Sequence, residues 1–117
     1  MDSCDVVIVG AGPAGSACAW KLTRAGLDVA LLEKGKFPRD KVCGGWITPP
    51  VLEELEIDPR DYAGSGKIFQ PITGFRTSRM GDAEVETHYG KPVSYGIRRF
   101  EFDHYLAVRS RARLVEG

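Results

Sequence analysis

The chain has 117 residues, of which 43% are apolar and 27% are charged, a composition typical of one compact globular domain. Sixteen Lys and Arg side chains balance sixteen Asp and Glu side chains, so the formal net charge is zero and gives no electrostatic preference for nucleic acid. No segment approaches the roughly 18–20 consecutive apolar residues of a membrane span, and the acidic start of the chain argues against a signal peptide.

The cysteines and histidines bear on the compartment and on metal binding. Cys4, Cys18 and Cys43 are odd in number, widely spaced and form no C-x-x-C pair. This usage predicts a reducing, cytoplasmic environment rather than a disulfide framework. His88 and His104 lie far from any cysteine pair, so the ligand spacing predicts no metal site.

The first third of the chain predicts a strand, a helix and a second strand. An apolar run at residues 5–9 is typical of a buried strand, and residues 13–25 have helical periodicity with Gly26 as a C-terminal stop. A second apolar run at residues 29–32 completes a βαβ unit, whose two strands should pair in parallel. The buried face of the helix is predicted from its spacing to consist of Ala14, Cys18, Leu22 and Ala25.

The rest of the chain changes pattern. In order, it predicts a long basic loop over residues 34–47, a short helix over 49–57, a turn-rich segment over 59–67, two or three antiparallel strands over 67–98 and a helix over 100–115. The buried face of this last helix is predicted to include Phe102, Tyr105, Leu106 and Arg109, extended by Ala107 and Val108. Gly81-Asp82 is interpreted as a hairpin turn.

The segment from Gly10 to Gly15 reads G-x-G-x-x-G between the first strand and the helix. In this context the motif predicts a dinucleotide site. Gly10 permits the tight turn, Gly12 lets a pyrophosphate approach the backbone, and Gly15 lets the helix pack closely on the sheet. The helix N-terminus offers N–H groups to the phosphates, and Pro13 fits a position where the missing N–H costs nothing.

An acidic residue closes the second strand. Glu33 lies 18 positions after Gly15, near the spacing of about 20 residues at which a carboxylate accepts hydrogen bonds from the ribose hydroxyls. Its charge would repel a 2′-phosphate, which disfavours NADP at this position. The residues themselves therefore leave two ligands open, NAD and the ADP half of FAD.

Three motifs, in the same order along the chain, resemble a known family. The sequence from Gly10 to Gly15, with Glu-Lys after the second strand, resembles the FAD-binding amino-terminus of two-dinucleotide-binding-domain flavoproteins. Residues 37–45, FPRDKVCGG, are similar to the R-x-K-x-C-G-G loop of geranylgeranyl reductases, and residues 99–106, RFEFDHYL, to the R-x-x-F-D-x-x-L stretch of the same group. That group has p-hydroxybenzoate hydroxylase-like folds and includes flavin-dependent aromatic hydroxylases and halogenases.

The resemblance implies an α/β fold: a Rossmann-like βαβ FAD-binding unit with an appended antiparallel β-meander and a C-terminal helix. The expected division is a βαβ unit with its cofactor loop (1–66), strands of the substrate-side sheet (67–98) and a helix returning to the FAD-binding domain (99–117). The family fold also requires a larger substrate domain and a later glycine-aspartate motif, neither of which this sequence contains. We therefore expect an amino-terminal fragment that is inactive alone and whose partner is the remainder of the polypeptide.

The resemblance also implies which residues contact FAD. The diphosphate would be held by Gly10, Gly12, Pro13, Ala14 and Gly15, and the adenosine ribose by Glu33 with Lys34 beside it. Residues along the cofactor toward its flavin would be Arg39, Lys41, Val42, Cys43 and Gly44, and Arg99 would reach the ribityl or phosphate region. Cys43 is interpreted as a small residue packed beside the cofactor rather than as a redox-active thiol. No catalytic residue is assigned.

The implied activity is that of an FAD-dependent reductase of carbon–carbon double bonds in a prenyl chain, with NAD(P)H or another external electron donor. Its substrate would be a small molecule or a prenyl lipid, and a lipid substrate would bring peripheral membrane contact. One alternative is a flavin-dependent monooxygenase or halogenase of the same fold. Another, allowed by the short length, is a stand-alone nucleotide-binding module without catalysis.

Overall fold

A computed structural model describes residues 3–117 and divides them into two units. Residues 3–42 and 99–117 form the first unit, and Cys43–Arg98 forms the second. Residues 99–117 lie in the same unit as the βαβ segment, and the predicted division at residues 66 and 98 stays a prediction.

The helices and strands follow one another along both units. In chain order they are β1 (Val6–Val9), α1 (Pro13–Arg24), β2 (Val29–Glu33), β3 (Trp46–Ile47), α2 (Pro49–Glu54), α3 (Pro59–Gly64), β4 (Phe69–Ile72), β5 (Gly74–Thr77), β6 (Val85–His88), β7 (Ser94–Ile97), α4 (Arg99–Arg109) and β8 (Arg113–Glu116). No helix formed by residues 3–117 is long and apolar enough to cross a membrane.

The first unit is built on a parallel sheet with strand order β1–β2–β8. β1 and β2 pair in parallel, with Val6 opposite Val29, which confirms the predicted βαβ unit. The short apolar strands suit a sheet buried by helices, because they present apolar side chains to both faces. One face packs under α1 around a cluster that includes Ala11, Ala19 and Leu31.

The predicted helix over residues 100–115 is wrong at its C-terminal end. α4 ends at Arg109, and Arg113–Glu116 form β8, which pairs in parallel with β2. Arg111 has a φ of 57°, a left-handed conformation that stops the helix and turns the chain. The strand reads R-L-V-E, too short a segment for its periodicity to stand out beside a helix.

The predicted buried face of α1 is also wrong. The residues buried on this helix are Ser16, Ala19 and Trp20, whereas Ala14, Cys18 and Ala25 are exposed and Leu22 is half-buried. The helix packs on the sheet through small side chains and on α4 through its C-terminal half, so both neighbours determine which face is buried. On α4, Phe102 and Leu106 are buried as predicted, but Val108 is exposed.

The second unit contains two antiparallel sheets. One has strand order β3–β7–β4, with Trp46 opposite Gly96 and Phe69 opposite Ile97. The other pairs β5 with β6. Antiparallel pairing was predicted for residues 67–98, but there are four strands there instead of two or three, and β3 adds a fifth from the end of the predicted loop.

Turns and short helices connect these strands. Gly81 has a φ of 85° and the Asp82 N–H donates to the Arg79 carbonyl at 2.9 Å, which confirms the hairpin turn. α2 ends earlier than predicted, close to Glu56 with its φ of 51°. The segment predicted as turns contains α3, whose start is capped by the Asp58 carboxylate, a common N-terminal signal.

Candidate functional site

A cavity of about 860 Å³ opens in the first unit, at the carboxyl ends of β1, β2 and β8. This is the edge of a parallel sheet at which ligands bind in open α/β folds. Eight residues of the predicted cofactor site line it: Gly10, Gly12, Glu33, Lys34, Arg39, Lys41, Val42 and Arg99. Val115 and Glu116 of β8 also line it, although the sequence pattern at these residues predicted a helix and no site residue.

The glycine turn has the geometry expected for each glycine. Gly10 has a φ of 99°, and its N–H donates to the Leu32 carbonyl at 2.7 Å. A Cβ at Gly12 would meet open space, since the nearest heavy atom is Arg99 Nη2 at 4.0 Å. A Cβ at Gly15 would overlap the Gly10 carbonyl oxygen, so Gly15 is required for the close packing of α1 on the turn.

The start of α1 supplies hydrogen-bond donors beside this open space. The Ser16 N–H donates to the Gly12 carbonyl at 2.9 Å and forms the first turn of the helix. The N–H groups of Ala14 and Gly15 precede that bond and have no carbonyl of the helix to pair with. Pro13 occupies the first helical position. An anion in the space above Gly12 would meet these donors and the positive end of the helix dipole.

Glu33 ties the glycine turn to the loop that follows β2. Its Oε2 accepts hydrogen bonds from the Ala11 N–H and from Arg39 Nη2, both at 3.1 Å, and its Oε1 accepts one from the Gly35 N–H at 3.2 Å. Only 6% of its side chain is exposed. Burial opposes ionisation, but the hydrogen bonds from Arg39 and the two backbone groups hold the pKa of Glu33 below its usual value.

The arginines of the site share a second, fully buried carboxylate. Arg39 Nη1 donates to Asp103 Oδ2 at 2.9 Å, while Arg99 donates to Oδ1 through Nε at 2.6 Å and to Oδ2 through Nη2 at 2.9 Å. Glu33, Arg39, Asp103 and Arg99 thus form one continuous charged quartet with two positive and two negative groups. Asp103 was not identified as a site residue, although its position four residues after Arg99 on a helix is the spacing of an ion pair.

The loop after β2 is held in place by β8. The Phe37 N–H donates to Glu116 Oε1 at 2.6 Å, and the Gly117 N–H donates to the Glu33 carbonyl at 3.0 Å. The Arg39 guanidinium lies 4.8 Å from the centre of the Phe37 ring, which stacks on His104 at 5.4 Å. These contacts hold Phe37 and Arg39 against the first unit, whereas Lys34, Lys36 and Lys41 of the same loop are exposed.

Cys43 and Gly44 belong to the second unit, and their predicted contact with a cofactor stays a prediction. Cys43 is exposed, and its Sγ accepts a hydrogen bond from the Gly45 N–H at 3.4 Å. A Cβ at Gly44 would meet open space, whereas one at Gly45 would overlap the Ile97 carbonyl oxygen. Within residues 3–117, no three His, Cys, Asp or Glu side chains are grouped so that they could hold a metal ion.

The titration of Glu33 leads to a prediction for stability. A carboxylate whose pKa is lowered on folding stabilises the folded state above its unfolded pKa, about 4.3, and this contribution is lost as the pH falls through the lower folded pKa. We expect Glu33→Gln to lose less unfolding free energy than the unaltered protein between about pH 5 and pH 3. Denaturant unfolding at each pH measures this difference. For Glu84→Gln, which changes an exposed carboxylate, the unfolding free energy should depend on pH as it does for the unaltered protein. The same pH dependence for Glu33→Gln would contradict the prediction.

Comparison with known proteins places this geometry in a family. The family model described as FAD dependent oxidoreductase matches residues 5–111. The menaquinone reductase of Mycobacterium tuberculosis is 44% identical over 125 positions, which cover 99% of this chain and 29% of the relative. These matches confirm the predicted oxidoreductase class and FAD as its cofactor.

Solved structures give the same result for the fold. A geranylgeranyl bacteriochlorophyll reductase-like protein from Thermoplasma acidophilum matches with a TM-score of 0.82 and 26% identity, covering 99% of this chain and 30% of that chain. A variant of a flavin-dependent brominase matches with a TM-score of 0.75 and 27% identity, covering 98% and 30%. The resemblance to geranylgeranyl reductases is thus confirmed, and the chain spans less than a third of the length of these proteins.

Proposed function

Because the chain belongs to the FAD-dependent oxidoreductase family, we propose that the cavity of its first unit holds the ADP half of FAD and that the whole protein is a reductase of prenyl-chain double bonds. The observation that carries the proposal is the open space above Gly12, at the N-terminus of α1 and beside the Arg99 guanidinium. A side chain at Gly12 would fill this space. The open space suits a diphosphate, which needs backbone donors and a cation.

The charged side chains suit the rest of the ADP half. The cavity is lined by four positive side chains and three negative ones, which are Lys34, Arg39, Lys41 and Arg99 against Glu33, Asp40 and Glu116. Glu33 has three of its acceptor positions occupied, and a carboxylate has about four. One position is therefore left for a ribose hydroxyl, while the cations that line the cavity can donate charge-assisted hydrogen bonds to the anionic diphosphate.

The reductase assignment is supported by the names of the relatives. One is a menaquinone reductase and another a geranylgeranyl bacteriochlorophyll reductase-like protein, which suggests a substrate with a prenyl chain. Bound FAD would supply the redox chemistry: with two electrons and a proton from an external donor it would deliver a hydride to one carbon of the double bond, and the other carbon would take a proton from solvent. The residues of this chain bind and orient the cofactor. The brominase match keeps a halogenase or monooxygenase as the second candidate.

The uncovered face of the sheet supports a role for the rest of a longer polypeptide. Val7, Val9 and Val115 lie on the face opposite α1 and are 56%, 83% and 49% exposed. Parallel sheets are normally buried on both faces, and the relatives are more than three times as long as this chain. We include in the proposal that the remainder of the full-length protein covers this face.

The proposal also includes a location. Cys4, Cys18 and Cys43 are all free thiols, which supports a reducing compartment such as the cytoplasm. A prenyl-lipid substrate would require contact with a membrane surface. The balanced charge of this chain provides no electrostatic attraction for that contact, so it would have to come from the substrate or from other parts of the protein.

The test is to purify the full-length protein and identify the flavin released on denaturation. We expect FAD in a one-to-one ratio with protein, and NAD alone or no flavin would contradict the proposal. The protein is then reduced without oxygen and mixed with a lipid that carries a geranylgeranyl chain. The expected product gains two hydrogens for each double bond reduced. Halogenation or hydroxylation of a substrate in the presence of oxygen, without this gain, would favour the second candidate.

A further inference from the structure

The most buried charged group of the first unit is Asp103, whose side chain is 0% exposed. It lies beneath the cavity and does not line it. Its two oxygens accept three hydrogen bonds, all from the guanidinium groups of Arg39 and Arg99. Both of these arginines do line the cavity. A single buried carboxylate therefore holds the two arginines that a bound ligand would meet.

We propose that Asp103 is a positioning residue for the diphosphate of the cofactor: it fixes the Arg99 guanidinium beside the Gly12 turn and holds Arg39 on Glu33. The inference rests on the proposed binding of FAD in this cavity and names a residue that never touches the cofactor.

The geometry of Arg99 supports this role. Its Nε and Nη2 both bind Asp103, at 2.6 and 2.9 Å, in the paired arrangement that a planar guanidinium forms with a carboxylate. The same Nη2 is the nearest atom to the open space above Gly12. A free arginine has several rotatable bonds and would have to be ordered when a ligand binds. Asp103 orders Arg99 in advance, so this cost falls on folding and not on binding.

The charge of Asp103 also allows the two arginines to lie close together. Asp103 Oδ2 accepts from Arg39 Nη1 and from Arg99 Nη2, each at 2.9 Å. Two guanidinium groups bound to one oxygen would repel each other without the carboxylate between them. Glu33 binds Arg39 from its other side at 3.1 Å. The quartet therefore keeps both cations in place before any phosphate arrives.

The test compares ligands that do and do not carry phosphate, using the full-length protein freed of flavin. We expect Asp103→Asn, which keeps the side-chain size but removes the charge, to weaken FAD and ADP by about tenfold or more, the scale of a lost charge-assisted hydrogen bond. The affinity for adenosine should fall by less than about threefold, because Glu33 keeps its hydrogen bonds to Ala11 and Gly35. Asp61→Asn removes an exposed carboxylate of α3 and should change none of the three affinities.

A role confined to stability would give another result. In that case Asp103→Asn would lower the melting temperature and leave the ratio of ADP to adenosine affinity unchanged, which would overturn the inference. Arg99→Lys provides a second variant whose folding is less at risk, since Arg99 lines the cavity. It keeps the positive charge but cannot form the paired bond with Asp103, so we expect the same selective loss for ADP. Binding of ADP by Arg99→Lys as tightly as by the unaltered protein would also overturn it.

These outcomes separate the two proposals. If the unaltered protein binds neither FAD nor ADP, the proposed function fails and the inference fails with it. If the unaltered protein binds FAD but Asp103→Asn binds FAD, ADP and adenosine as tightly as the unaltered protein does, the inference alone is wrong.

Discussion

Replacing Gly15 with alanine is expected to lower the free energy of unfolding by about 3 kcal/mol, the upper range for overpacking a tight site, and to abolish FAD binding. The added Cβ would overlap the Gly10 carbonyl oxygen and lie 3.3 Å from Ile8 Cγ2. The main obstacle is backbone, which cannot rotate away as a flexible side chain can. Helix α1 would have to move off the glycine turn, and this would displace the donors at its N-terminus. Denaturant unfolding and flavin content measure the two effects.

Two other glycines provide matched controls for Gly15→Ala. Gly64 in α3 has nothing within 4 Å of an added Cβ, so Gly64→Ala should leave both stability and FAD content unchanged. Gly12 also has room for a Cβ, so Gly12→Ala should fold normally but lose FAD, whose diphosphate needs that space. Equal stability of Gly15→Ala and Gly12→Ala would contradict the packing role assigned to Gly15.

The second large effect is expected at Gly45, in the second unit. Gly45 has a φ of 67°, and an added Cβ would overlap the Ile97 carbonyl oxygen. The Gly45 carbonyl also accepts the Ile97 N–H at 2.7 Å, so the two residues are held together from both sides. We expect Gly45→Ala to destabilise the protein by about 3 kcal/mol through strain at positive φ and overlap with the backbone.

The neighbouring glycine of the same motif should behave differently. Gly44 has no atom within 4 Å of an added Cβ and no positive φ, so Gly44→Ala should unfold at the same denaturant concentration as the unaltered protein. A loss of FAD affinity in Gly44→Ala without loss of stability would support its predicted contact with the cofactor. If Gly44→Ala destabilised the protein as much as Gly45→Ala, the expected difference in packing between the two glycines would be wrong.

The parts of the fold that the sequence predicted correctly have strong local signals. The apolar run of β1 and the glycine motif define the βαβ unit, because few other arrangements accommodate a buried strand followed by three glycines at this spacing. These residues alone left NAD and the ADP half of FAD open, and the prediction of FAD and of the family came from the resemblance of three motifs. Eight of the thirteen residues predicted to contact the cofactor line one cavity, and the contact itself remains to be tested for all of them.

The errors have a common physical origin in tertiary contacts. The buried face of α1 depends on both the sheet and α4, and the spacing of apolar residues in α1 alone does not show the position of α4. β8 has four residues, and it forms a strand because β2 offers an open edge. The spacing of Asp103 from Arg99 allowed an ion pair, but its bond to Arg39, which lies 64 positions away along the chain, could not be predicted. Local patterns carry little information about such a pairing.

A crystal structure of the full-length protein with bound FAD would test the central claim most directly. We predict that the diphosphate lies above Gly12, within hydrogen-bond distance of the N–H groups of Ala14 and Gly15 and of the Arg99 guanidinium, with the adenosine ribose at Glu33. An FAD whose diphosphate lies elsewhere, or a different nucleotide bound at the glycine turn, would contradict the account.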